Sequence, residues 1–331
     1  MAKTPAVIKR LHAALDSDTP DMDALWQDIN KAHTKHPELY QEWLPLFQAS
    51  SHRENALRTT SNLEEFEACL EIVPRGCFNL RLGRYGTKNF TSAILKKVVS
   101  AKRAAHIPSL ELHNHKKMSD SMFEILIDAK NFDVLKALTF ASIHSMSLDH
   151  VEALLAAPCA ESLEKLSIFQ SFELGDQVID VIQAAPHAEK LKTLKLSGVK
   201  LTGAALENLR TASKLPALTS LDITRNDQVD AASVVQLLES PFAAQLDTFW
   251  VDWSAIGDDG ARAIANSPHM KKMENLVLKN AALSIEGVKA LLTSENLPAL
   301  KFLSVWGNNI TYTDEELEAV KEEYADRVQV I

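Results

Sequence analysis

The sequence predicts an α/β repeat protein, a right-handed β-α superhelix in which short parallel strands and helices alternate along one continuous core. Three observations carry this. A triplet of apolar residues recurs nine times at nearly constant spacing. Within each triplet the last two positions lie two residues apart, as on one side of a strand. The stretch that follows keeps the 3.6-residue period of a helix and starts on a capping residue.

The chain opens differently. Residues 1–60 lack the repeat, and their apolar spacing predicts a small all-α N-terminal region of three short helices: Val7, Ile8, Leu11 and Leu15; Leu25, Trp26 and Ile29; Tyr40, Trp43, Leu44 and Phe47. Pro37 suits the opening of the third. A covering cap is the expected role, because a stack of repeats needs a closed end. The polar stretch 50–61 reads as a linker or turn. Ser61-Asn62 then caps a helix carrying Leu63, Phe66, Leu70 and Val73.

The repeat itself occupies the remainder of 61–331. Its first position is held by Cys77, Ile107, Leu135, Leu163, Leu191, Leu218, Leu246, Met273 and Leu300, at successive intervals of 30, 28, 28, 28, 27, 28, 27 and 27 residues. Position 4 is filled by Leu80, Leu110, Leu138, Leu166, Leu194, Leu221, Phe249, Leu276 and Leu303. Position 6 is filled by Leu82, Leu112, Phe140, Ile168, Leu196, Ile223, Val251, Leu278 and Val305. The helical segments include Val151, Leu154 and Leu155; Val178, Ile182 and Ala185; Val234, Leu237 and Leu238; and Val288, Leu291 and Leu292. Ser147, Thr202, Ser284 and Thr313 supply caps, the last with Glu316 at capping-box spacing. Pro158, Pro186 and Pro241 stop helices. Connections that all cross in one sense leave the strands parallel. The closing segment 327–331 reads as a final strand over the C-terminal edge.

This region resembles the leucine-rich repeat family, and its long helical repeats are similar to the ribonuclease-inhibitor-like subclass. Asn226 and Asn308 match the family's turn asparagine. The same position elsewhere holds Tyr85, His115, Ile143, Ser171, Val199, Ser254 and Ala281, so a regular asparagine ladder is not expected. The resemblance implies a horseshoe with the parallel sheet on the concave face and helices on the convex face. It also implies a role in protein recognition, either as a scaffold or as a regulator of an enzyme such as a small GTPase or nuclease.

Bulk properties narrow the partners. Hydrophobic residues make up 46% and charged residues 24% of the chain, enough for a large core. A formal charge of −9 with no basic stripe argues against nucleic acid, which needs clustered cations to neutralise phosphates. The N-terminal stretch mixes Lys9, Arg10, His12 and Asp16 into its apolar residues, unlike a signal peptide, and no segment reaches membrane-spanning length. Cys69, Cys77 and Cys159 are odd in number and unpaired in spacing, so a reducing cytoplasm is expected, with a monomeric protein in it.

With positions 4 and 6 in the core, positions 3, 5 and 7 face the concave side and position 8 its rim. Small or polar residues dominate the early strands, apart from Phe169. Toward the C-terminus the face becomes aromatic: Trp250, Trp253, Phe302 and Trp306, with Val277 between and Asp222, Arg225, Asp252 and Lys279 around them. Exposed tryptophan is typical of interface hot spots. These residues are the expected site for a protein partner.

Catalytic readings are weaker. His113 and His115 share a face on an ideal strand and His144 lies one repeat along, yet His115 falls at the turn and no carboxylate or cysteine completes a metal pattern. Residues 83–88, GRYGTK, lack phosphate-loop spacing. Asp258-Asp259 reads as a helix opening that suits the helix dipole. No enzyme activity, metal or cofactor is expected.

Overall fold

The computed structural model describes residues 5–17, 22–36, 58–60, 78–83, 91–100, 104–113, 118–130, 132–310, 315–326 and 328–330. Its centre is one sheet of eleven strands lying side by side in chain order. They are β1 (Arg58–Thr60), β2 (Phe78–Leu82), β3 (Ser109–His113), β4 (Ala137–Ala141), β5 (Lys165–Phe169), β6 (Thr193–Ser197), β7 (Ser220–Asp222), β8 (Thr248–Asp252), β9 (Asn275–Lys279), β10 (Phe302–Ser304) and β11 (Gln329–Val330). Every pairing is parallel.

The register is the one that the apolar triplets predict. Leu80 pairs with Leu110, then Leu138, Leu166, Leu194, Leu221, Phe249, Leu276, Leu303 and Val330 in unbroken succession, all buried. Position 6 forms a second buried ladder from Leu82 to Val305. A slip of one residue would turn both ladders to solvent, so burial locks the pairing.

Helices return the chain between strands: α3 (Ser92–Val98), α4 (Asp120–Ile127), α5 (Leu148–Ala156), α6 (Gln177–Ala184), α7 (Gly203–Arg210), α8 (Ala231–Leu238), α9 (Gly257–Asn266), α10 (Ile285–Leu292) and, before β11, α11 (Glu315–Tyr324). Ser147, Thr202 and Ser284 cap as expected, each hydroxyl accepting a backbone N–H from the first turn. Two of these caps also join neighbouring repeats. The Thr202 N–H and hydroxyl both donate to Asp176, at 2.7 Å each, and Ser284 makes the same pair of bonds to Asp258 at 2.8 and 2.6 Å. The hydrogen bond from Ser284 holds the Asp258 carboxyl below its usual range.

The two turn asparagines do identical work. Asn226 Oδ1 accepts the N–H groups of Val199 and Leu201, and its Nδ2 donates to the carbonyls of Leu196 and Ile223. Asn308 repeats this with Ala281, Leu283, Leu278 and Val305. One buried amide thereby satisfies four backbone groups that the turn would otherwise strand. Ser171 makes a lesser substitute, one bond to the Ile143 carbonyl at 3.0 Å.

Preceding the sheet, α1 (Ala6–Leu15) and α2 (Met22–Lys35) pack together, burying Val7, Ile8, Leu11 and Leu15 against Leu25, Ile29 and Ala32. The Arg10 guanidinium grips Asp28 through two bonds of 2.7 Å and lowers the pKa of its carboxyl. The stretch 50–61, read from sequence as a linker or turn, contains β1, which pairs with β2 from Arg58 against Phe78 to Thr60 against Leu80. Three polar residues give no periodicity to detect. β11 falls within the expected terminal segment. The helices expected around Tyr40 to Phe47 and over 62–73 lie outside the described residues, as do Cys69, Cys77, His115 and Thr313.

Candidate functional site

Strand geometry leaves positions 5, 7 and 8 to shape the open face of the sheet. Position 8 has a constraint that spacing alone does not reveal. Ser142, Gln170, Gly198, Arg225, Trp253, Asn280 and Gly307 all adopt positive φ. The left-handed turn lets the backbone N–H of position 8 reach across to the position-7 carbonyl of the next strand. Ser142 donates to Phe169, Gln170 to Ser197, Gly198 to Thr224, Trp253 to Lys279 and Asn280 to Trp306. A residue with a Cβ meets about 1–2 kcal/mol of strain there. Glycine at 307 also makes room, since a Cβ would overlap the Asn280 amide.

Arg225 breaks the series. Its N–H donates to the side-chain Oδ1 of Asp252 in place of a carbonyl. Asp252 thus closes the gap beyond the short strand β7. Burial raises the pKa of its carboxyl, the Arg225 N–H opposes that rise, and the nearby Asp222 adds to it. Asp252→Asn keeps the acceptor and is expected to change stability by no more than about 0.5 kcal/mol, whereas Asp252→Ala strands the N–H and costs about 1–3 kcal/mol. Urea midpoints of the two variants decide it; equal losses would mean that the charge, and not the acceptor, matters.

These columns enclose an open concavity of about 630 Å³ running from His113 on β3 to Trp306 beyond β10. Its walls include Phe169, Arg225, Asp252, Trp253, Lys279 and Trp306, and its floor includes Asp222, Trp250 and Val277. Of the ten residues expected to meet a partner, nine therefore line one space. The tenth, Phe302, sits half-buried at the start of β10, outside it. Exposure divides the nine. Trp253 and Trp306 stand 62% and 55% exposed, while Val277, at 3%, and Asp222 are buried by their neighbours. Trp250 lies half-buried beneath Lys195, whose Nζ sits 4.4 Å from the ring centroid, a cation–π contact. The same Nζ is 3.4 Å from Asp222 Oδ2, and Asp222 Oδ1 accepts both the N–H and the hydroxyl of Thr224. Trp250 Nε1 and the hydroxyls of Ser167 and Ser304, all in column 5, are buried without a hydrogen-bond partner.

Sequence reasoning missed Gln170 and Asn280, which also line the space. The signal that finds them is the left-handed column, since every residue in it is presented at the rim.

The N-terminal end of the face is closed by its own charges. Arg81 on β2 grips Glu111 on β3 through its Nε and one terminal guanidinium nitrogen, and His113 Nε2 lies 3.2 Å from the same carboxylate. His113 is thereby engaged by Glu111, and among the described residues no group of three or more His, Cys, Asp or Glu is placed to hold a metal. Burial pushes the Glu111 carboxyl up, but hydrogen bonds from His113 and Arg81 outweigh it and hold it at about 2, below the ordinary 4.5. A depressed folded pKa stabilises the fold above the unfolded value. That stability is complete above about pH 4.5 and is lost as pH falls through about 2. On the order of 2 kcal/mol should disappear over this window in denaturant titrations, and Glu111→Gln should flatten that part of the profile; an unchanged slope would place the acid sensitivity elsewhere.

Cys159, buried in the turn after α5, has its thiol pushed up to about 11 by burial and is not a nucleophile at neutral pH. No helix among the described residues is long and apolar enough to cross a membrane.

Neither a protein-family model nor a curated protein matches the chain. Solved structures do. A chain of the yeast Rad7–Elc1 complex is 16% identical with a TM-score of 0.54, the match covering 98% of this chain and 91% of that one. An internalin from Listeria monocytogenes is 14% identical with a TM-score of 0.38, over 82% and 76% of the two chains. A leucine-rich repeat protein of Leptospira interrogans is 15% identical with a TM-score of 0.36, over 83% and 58%. At these identities the likeness is one of fold, the leucine-rich repeat solenoid.

Proposed function

We propose that this solenoid is a non-enzymatic scaffold that binds a protein on the C-terminal half of its concave sheet. The observation that carries the reading is the pair Trp253 and Trp306. Both indoles are more than half exposed on a face whose other large apolar side chains are buried or half-buried. Trp253 also occupies a left-handed position, where a large side chain is strained and glycine would serve. A residue that is unfavourable both for solubility and for backbone conformation fits a contact residue better than a packing one.

Support from outside the chain is coarser. The yeast structure is a complex of two proteins, which accords with a binding role for this fold. Repeats of 27–28 residues with full helices favour the ribonuclease-inhibitor-like subclass. A scaffold is preferred over a regulator of a small GTPase or nuclease because the open surface centres on aromatic side chains and not on a patterned array of charges. Residues 1–60 are assigned as the end cap of 61–331, and the protein is taken to act as a cytoplasmic monomer without a membrane or nucleic-acid partner.

Affinity capture with the wild-type chain, run beside a Trp253→Ala/Trp306→Ala variant of equal stability, tests the assignment. A partner retained equally by both would move the site elsewhere.

A further inference from the structure

We infer that the aromatic end of the concavity takes an acidic peptide segment, in which an aromatic or leucyl anchor stands beside Asp or Glu side chains. The inference rests on the protein-binding reading above and adds the partner's chemistry to it.

The charges on this face do not cancel. Lys195 and Asp222 neutralise each other, and the other Asp222 oxygen is taken by Thr224. That leaves the Arg225 guanidinium and the Lys279 ammonium against one carboxylate, Asp252. Both cations act on Asp252 through space, but among the described residues neither makes a hydrogen bond or ion pair. Several other cations of the solenoid are paired: Lys136 and Lys192 share Glu164, Lys301 meets Glu274, Arg210 meets Glu207 and Arg262 meets Asp259. A chain of formal charge −9 thus has a local surplus of positive charge beside the exposed indoles of Trp253 and Trp306.

The geometry suits one ligand that has both characters. Trp253 leaves β8 and Trp306 leaves β10, two strands away, a separation of roughly 10 Å with Asn280 between. An apolar side chain fits in that gap, and a carboxylate next to it in sequence falls within reach of Arg225, whose fork binds carboxylates bidentately. A nucleic acid could also stack on indoles. It would need several phosphates neutralised, and two cations with Asp252 and Asp222 among them do not supply that.

Selection of randomised nine-residue peptides displayed on phage tests the inference, with the full chain, Arg225→Glu/Lys279→Glu and Trp253→Ala/Trp306→Ala as baits. The expected wild-type pool is several-fold enriched in Asp and Glu within two positions of Trp, Phe or Leu, and the charge-reversed bait shifts the pool toward Lys and Arg. A synthetic peptide from the wild-type pool should weaken about ten-fold between low salt and 0.5 M salt, a readout that needs no variant. A wild-type pool neutral or basic beside its anchors would overturn the acidic assignment while leaving protein binding intact. No enriched pool, or one indifferent to loss of both tryptophans, would overturn the underlying reading as well. Displacement of the selected peptide by oligo-dT at 0.15 M salt would assign the face to nucleic acid instead.

Discussion

Alanine at both Trp253 and Trp306 is expected to weaken partner binding by about 100-fold or more while leaving the unfolding midpoint unchanged. A buried interface tryptophan contributes about 2 kcal/mol or more, and about 1.4 kcal/mol is ten-fold in affinity. Both side chains are more than half exposed in the free chain, so their removal forfeits little packing, and surface substitutions of this kind stay within about 0.5 kcal/mol. Trp253→Gly sharpens the test. Glycine accepts the positive φ of 60° without strain, so stability should hold or rise by up to about 1 kcal/mol as the indole is lost. A substitution that relaxes the fold and removes binding marks a residue kept for function. Trp250→Ala should behave oppositely. Its ring lies half-buried beneath Lys195, and truncation there should destabilise by about 2–4 kcal/mol. Comparable stability losses at Trp250 and at the Trp253/Trp306 pair, with binding intact, would show all three to be packing residues.

Asn226→Ala is the substitution expected to damage the fold most. It leaves the N–H groups of Val199 and Leu201 and the carbonyls of Leu196 and Ile223 without their partner in a buried turn. Each stranded group costs about 1–3 kcal/mol, and after partial relaxation a loss of about 3–5 kcal/mol is expected from a fold whose total stability is on the order of 5–15 kcal/mol. Asn226→Asp keeps the acceptor and loses the donors, so an intermediate loss should follow. Ser171→Ala removes a single bond and should cost about 1 kcal/mol. Because each repeat leans only on its neighbours, the lesion should also split denaturant unfolding into two phases, one on each side of the turn. A loss near 1 kcal/mol with a single transition would show that water replaces the amide.

The apolar columns were legible because their cause is local and periodic. From Leu80 to Leu303 each residue occupies the core for the same reason as the one before it, so counting along the chain sufficed. The strand register, the caps at Ser147, Thr202 and Ser284, and the pair of turn asparagines follow likewise from spacing and side-chain type. β1 escaped notice because three polar residues at an edge show no pattern.

The concave face was legible in membership and not in exposure. Sequence placed Val277, Trp250 and Trp253 together as neighbours on one surface, but only the packed sheet buries the first, half-buries the second and leaves the third standing in solvent. The left-handed column at position 8 and the substitution of Asp252 for a backbone carbonyl were likewise out of reach of the sequence. What the sequence determined by itself is what repeats: strand, helix, register and core, each set by contacts within a repeat and to identical neighbours. What tertiary structure decided is which side chains remain open and which charges remain uncompensated. That depends on how unlike residues from adjacent repeats shade and pair with one another, and no periodicity encodes it.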